Sequence, residues 1–150
     1  MDRCTFVWLM TPSPHRSVLR ILLIALLFML IGTGLELYLL DHYEDAWQLI
    51  PLICIGAALV GMVWVLSKPS GLSLRIFKGI LGLSALSGLV GVYLHMKANY
   101  EFELEMKPSA QGWELFSESL SGALPALAPG SMIALALIGY TYTLLIKQQT

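Results

Sequence analysis

Charge is scarce in this chain. Of its 150 residues only 13% are Asp, Glu, Lys or Arg, while 57% are hydrophobic. Soluble domains average about 25% charged and about 45–50% apolar. So little charge cannot solvate the surface of a protein this small, and the mean hydropathy of +0.73 points the same way. The excess apolar surface is expected to face lipid. Cysteine is scarce too, with Cys4 near the N-terminus and Cys54 inside an apolar run. The two are expected at different depths, and no CxxC occurs. A disulfide framework and a quinone-coupled thiol relay are therefore not indicated. A signal-peptide pattern is also missing. "MDRCTFVWLM" has too short an apolar core, and "TPSPHR" follows it in place of a small-residue cleavage site. A net charge of −1 argues against a general nucleic-acid binder.

What is present is a set of four apolar runs, at about 18–40, 47–66, 74–96 and 131–146. A helix needs roughly 20 residues to cross the hydrocarbon. The first three runs fit, and "LPALAP" before the fourth extends its apolar length. None of them alternates with period two, so a closed barrel is excluded. In lipid every backbone amide must bond internally, which leaves helices. The expected fold is all-α: one membrane domain, a four-helix transmembrane bundle with an outer cap at about 97–130. The plan resembles that of many small bacterial inner-membrane proteins, and the cytoplasmic membrane is the expected location.

With the N-terminus inside, the cytoplasmic side holds Arg3, Arg16, Arg20, Lys68, Arg75, Lys78 and Lys147, against Lys97 and Lys107 outside. That bias places both termini in the cytoplasm. The acids run the other way. Only Asp2 is inside, and Glu36, Asp41, Glu44, Asp45, Glu101, Glu103, Glu105, Glu114 and Glu118 lie at or beyond the outer interface. Such a face suits solubility, or attracts cations or a basic partner.

Between the third and fourth runs lies a long outer segment. "YEFELEM" alternates Tyr100, Phe102, Leu104 and Met106 with Glu101, Glu103 and Glu105. Period two predicts an extended piece whose charged side is solvated, as edge strands often are. "GWELFSESLSGAL" then places Trp113, Phe116, Leu120 and Ala123 at helical spacing, which predicts an interfacial amphipathic helix anchored by Trp113.

Two patterns bear on function. The first is the polar knot Asp41-His42-Tyr43-Glu44-Asp45. Asp41-x-x-Glu44 has capping-box spacing and predicts that the second span starts at His42, with Tyr43 and Trp47 as interfacial anchors and Pro51 kinking the helix. The second is a stripe of small residues on the third span, Ser84 and Gly88, then Ser87 and Gly91, running out to His95 and Asn99. Small-xxx-small rows let helices approach closely. Gly32 is expected to meet Gly88 or Gly91, with Gly61 and Gly139 as further packing positions.

That packing would gather Glu36, His42 and His95, with Glu44 or Asn99, at one outer depth. Two histidines and two carboxylates are a ligand set for zinc or another divalent metal. Two histidines alone suit a haem b. The plainer reading is a Glu–His hydrogen bond that locks helix register. No HExxH, ExxH or CxxCH occurs. The scattered methionines read as apolar filler, and neither an inverted repeat nor a broken helix pair points to a transporter.

Three functions are therefore expected, in this order. The first is a non-enzymatic accessory or scaffold subunit, packed by its glycine faces in a membrane complex or homo-oligomer. The second is an outer-face protein holding a metal or haem through Glu36, His42 and His95. The third is a membrane enzyme or carrier with a Glu36/His95 proton-transfer pair.

Overall fold

The computed structural model describes residues 14–147; Asp2, Arg3 and Cys4 lie outside that range. The described residues form five helices and no strand. They are α1 (Pro14–Leu39), α2 (Ala46–Ser67), α3 (Gly71–Met106), α4 (Gly112–Leu120) and α5 (Gly130–Lys147). Helices α1, α2 and α3 are long and apolar enough to cross a membrane, and α5 is apolar but shorter.

The polar knot divides between two helix ends. Asp41 has φ +52°, a left-handed conformation. Its N–H donates to the Tyr38 carbonyl, and the His42 N–H donates to the Leu37 carbonyl. These are the paired bonds of a Schellman stop, with Asp in the position where glycine is usual. The Tyr43 hydroxyl donates to Asp41 Oδ1 at 2.7 Å, which steadies the strained residue and holds the phenol above its ordinary pKa. Asp41 therefore ends α1, and the expected cap on the second span moves four residues on. Asp45 is the N-cap of α2, accepting from the Gln48 N–H at 2.9 Å. Gln48 Oε1 in turn accepts from the Glu44 N–H at 2.9 Å. The correction has a simple cause. Asp41 already serves as the left-handed stop of α1, and Asp45 is the carboxylate that reaches a free amide of α2. Pro51 remains inside α2, where its missing N–H leaves the Trp47 carbonyl without its helical partner.

A reciprocal box starts α3. Ser70 accepts from the Ser73 N–H at 3.1 Å, and Ser73 Oγ accepts from the Ser70 N–H at 2.9 Å. From there α3 runs 36 residues without a break. The "YEFELEM" stretch is its last turns, not an extended segment. Its three glutamates, Leu104 and Met106 all favour helix. Extending an established helix fixes one residue per new hydrogen bond, whereas starting a strand there needs a partner. Pro108 follows the cap at Lys107 and stops it.

Helices α1, α2, α3 and α5 share one core, a single buried cluster that includes Leu26, Leu30, Ile55, Met62, Val65, Phe77, Leu81 and Leu135. Helix α3 is the central element, packing on α2, α4 and α5, while α1 rests mainly on α5. Two glycines admit bulk from α3. A Cβ on Gly61 would stand 3.0 Å from the Phe77 ring, and one on Gly139 would stand 2.8 Å from Leu81. The outward surface is greasy: Ile21, Ile24, Phe28, Ile31 and Leu35 on α1, Val60 and Val63 on α2, and Leu83, Leu86 and Leu89 on α3 are all exposed. Exposed apolar surface on this scale suits contact with a lipid bilayer.

Candidate functional site

At about 1.5 Å per residue, the 36 residues of α3 extend about 54 Å. The hydrocarbon core is only about 30 Å thick. The last third of α3 is therefore longer than a span requires and forms a stalk, and the chain from Lys107 to Gly130 folds back down it.

The fold-back uses the small-residue stripe. A Cβ on Gly91 would meet the Pro129 ring at 2.7 Å, and one on Gly88 would meet the Pro129 carbonyl oxygen at 2.8 Å. One turn further out, His95 Nδ1 lies 3.1 Å from the Pro125 carbonyl oxygen. The next turn brings Asn99, only 2% exposed. Asn99 Nδ2 donates to the Ser119 carbonyl at 2.9 Å and to the Leu124 carbonyl at 2.7 Å, and its Oδ1 accepts from the Leu124 N–H at 3.0 Å. Gly122 is required beside it, since a Cβ there would stand 2.7 Å from the Asn99 side chain.

The stripe is thus a bed for the irregular connector between α4 and α5. It does not receive α1: nothing lies within 4 Å of a Cβ placed on Gly32. The cause is steric, because Pro129 fills the notch that Gly32 was expected to enter.

Helix α4 turns Leu115 and Ser119 inward. Trp113, Phe116 and Leu120 face outward, with Trp113 78% exposed and its ring 5.5 Å from that of Phe116. A Lys107–Glu118 ion pair fastens α4 to the end of α3. The bond to Glu118 also raises the Lys107 pKa above the ordinary lysine value. Lys97 pairs with Glu101 one turn along at 3.6 Å. Lys97 and Lys107 are therefore both engaged with glutamates, and most of the remaining acids of the cap face water.

The proposed polar cluster is only partly assembled. His42 and His95, both half-buried, approach edge to face with ring centroids 6.4 Å apart. Burial, and then the His95 charge, hold the His42 imidazole below the ordinary histidine pKa, against a smaller opposing pull from Asp45. Glu36 and Glu44 are exposed. His95 Nδ1 faces a backbone carbonyl rather than Glu36. Among the described residues no three His, Cys, Asp or Glu side chains group in a way that could hold a metal ion.

Sequence reasoning noticed Asn99 only as the end of a row. Its spacing from His95, on a helix face otherwise lined with small residues, was the available signal that a chain lies against that face. The Pro125 carbonyl carried no side-chain signal at all.

Compared with known proteins, the chain matches no protein-family model, no curated sequence and no solved structure.

Proposed function

We propose that this chain is a small accessory or scaffold protein of the cytoplasmic membrane of a bacterium, without catalytic chemistry of its own. It crosses the bilayer four times, keeps both termini inside and presents a rigid acidic cap to a protein partner outside. The observation that carries this reading is the buried Asn99, which commits its amide oxygen and both amide hydrogens to the backbone of the cap. Buried polar networks that are fully satisfied rigidify what they join. Here they join a stalk bearing Glu101, Glu103 and Glu105 to a helix bearing Glu114 and Glu118. A fixed acidic platform suits the steering and holding of a basic partner.

The depth of α5 supports the fourth crossing. It runs antiparallel to α3, with Pro129 against Gly88 and Gly91 at one end and Gly139 against Leu81 further in. Lys78 lies over the Tyr140 ring, 5.2 Å from its centroid. Helix α5 therefore lies alongside the Lys78–Gly88 part of α3, and its remaining residues continue toward the cytoplasmic end.

The test is gentle extraction of the tagged protein from its native membrane, followed by native mass analysis. A stoichiometric complex is expected. It should be salt-sensitive and lost when Glu101, Glu103 and Glu105 are changed together to Gln. Recovery of only the lipid-bound chain, after crosslinking in the intact membrane, would overturn the proposal. Labelling of a cysteine at position 103 from the cytosolic side would overturn the topology.

A further inference from the structure

The two outer histidines share a property that the scaffold reading does not use. His42 comes from the turn between α1 and α2, and His95 from the stalk of α3, yet their rings lie 6.4 Å apart. His95 Nδ1 is placed to donate to the Pro125 carbonyl at 3.1 Å. That bond fixes the tautomer with the proton on Nδ1 and leaves the Nε2 lone pair free. Metal-binding histidines are commonly oriented in this way, with the other ring nitrogen donating to a backbone carbonyl.

We propose that His42 and His95 together bind one late first-row divalent transition ion, zinc or copper(II), at the outer rim, with water completing its coordination. Spacing, charge and ligand type all suit this. Bonds of about 2.0–2.1 Å from the ion to each ring nitrogen place two imidazole centres about 5–6 Å apart, so the rings need to close by about an ångström. His42 lies on a turn between two helices, where such a shift is cheap. Asp45, three residues further along the same turn, adds negative charge to the neighbourhood of His42. Imidazole without a nearby thiolate favours zinc and copper(II) over the harder cations magnesium and calcium. The ligand set differs from the one first expected, because Glu36 and Glu44 are not part of it. A bound ion would clasp the α1–α2 turn to α3 and, through Pro125, to the cap connector. The site stands independently of any protein partner.

The experiment titrates the full chain in detergent micelles with zinc by calorimetry. It then records copper(II) electron paramagnetic resonance spectra on the same samples. One saturable ion per chain is expected, with the signature of two imidazole nitrogens. His42→Ala and His95→Asn should each weaken binding at least about tenfold, while His15→Ala should not. Asparagine at 95 keeps an N–H donor for Pro125 and removes the metal-binding nitrogen, so a loss there is not a loss of fold. Binding should also fall as pH drops, because protons compete for the imidazoles. Absent or unsaturable binding to the unaltered chain would overturn the proposal. So would binding that survives in the His42→Ala/His95→Asn double variant, or a loss confined to one of the two single variants.

Discussion

Helix α3 is held in two different ways along its length. From Phe77 to Gly91 it is gripped by shape. Phe77 fits over Gly61, Leu81 over Gly139, and Pro129 into the notch at Gly88 and Gly91. From His95 to Lys107 it is gripped by polar bonds, in which an imidazole, an amide and an ammonium group each meet the returning chain. The first kind of contact works where water is absent, because association in lipid depends on close packing rather than on a hydrophobic drive. The second works where water competes, because bonds to a backbone fix one register that greasy contacts alone leave loose. The changeover falls between Gly91 and His95 of α3.

The comparison can be broken from either side. The largest effect is expected from Gly88→Leu, which drives a side chain into the Pro129 carbonyl and Met132. Overpacking there should cost about 3 kcal/mol, the top of the usual range, seen as a lowered unfolding midpoint in detergent. Gly32→Leu, with open space around it, should leave the midpoint nearly unchanged. Equal losses at both positions would mean that shape does not govern the inner half. Next comes Asn99→Ala, which strips three bonds and leaves buried backbone groups unpaired. Roughly 2–3 kcal/mol should be lost. Amide exchange should quicken across residues 112–124 while α2 and the inner half of α3 stay protected. A uniform rise over the whole chain would show that cap and bundle are one unit.

Two smaller effects sharpen the picture. Asp45→Ala should cost about 1 kcal/mol by removing the cap of α2. Asp41→Gly should cost less, since glycine takes the left-handed conformation without strain although the Tyr43 bond is lost. Denaturant titration of both variants checks the order, and the reverse order would restore Asp41 as the helix cap. The weakest effect concerns pH. The folded-state pKa of Lys107 is raised by Glu118, so its ion pair contributes fully below the unfolded value of 10.5 and is lost as pH rises through the folded value. Above that window Trp113 fluorescence should change in the unaltered chain and not in Lys107→Arg, whose guanidinium stays charged. Parallel responses would remove Lys107 as the cause.

The long apolar runs made the helices legible, because so many consecutive greasy residues leave few alternatives. The last turns of α3 were not legible as helix, since "YEFELEM" alternates as a strand does. What decides there is the completed helix beneath, a tertiary circumstance that a local window cannot contain. The cap at Asp45 was hidden for a related reason: Asp41 and Asp45 offer the same chemistry, and only the left-handed turn at Asp41 separates their jobs. The nearness of His42 and His95 followed from equal depth. Glu36 shares that depth, but its direction around the axis of α1 is set by α5, and depth says nothing of azimuth.

An unbroken rod about 54 Å long acts as a lever. Spanning helices lean on average by about 20°, and the lean adjusts to the thickness of the surrounding lipid. A change of about 5° over such a length swings its tip by about 5 Å. A stiffly mounted tip converts that swing into a displacement of whatever it carries. In thin membranes the glutamates would ride low and wide, and in thick ones high and close. The height of the platform would then report the state of the lipid beneath it.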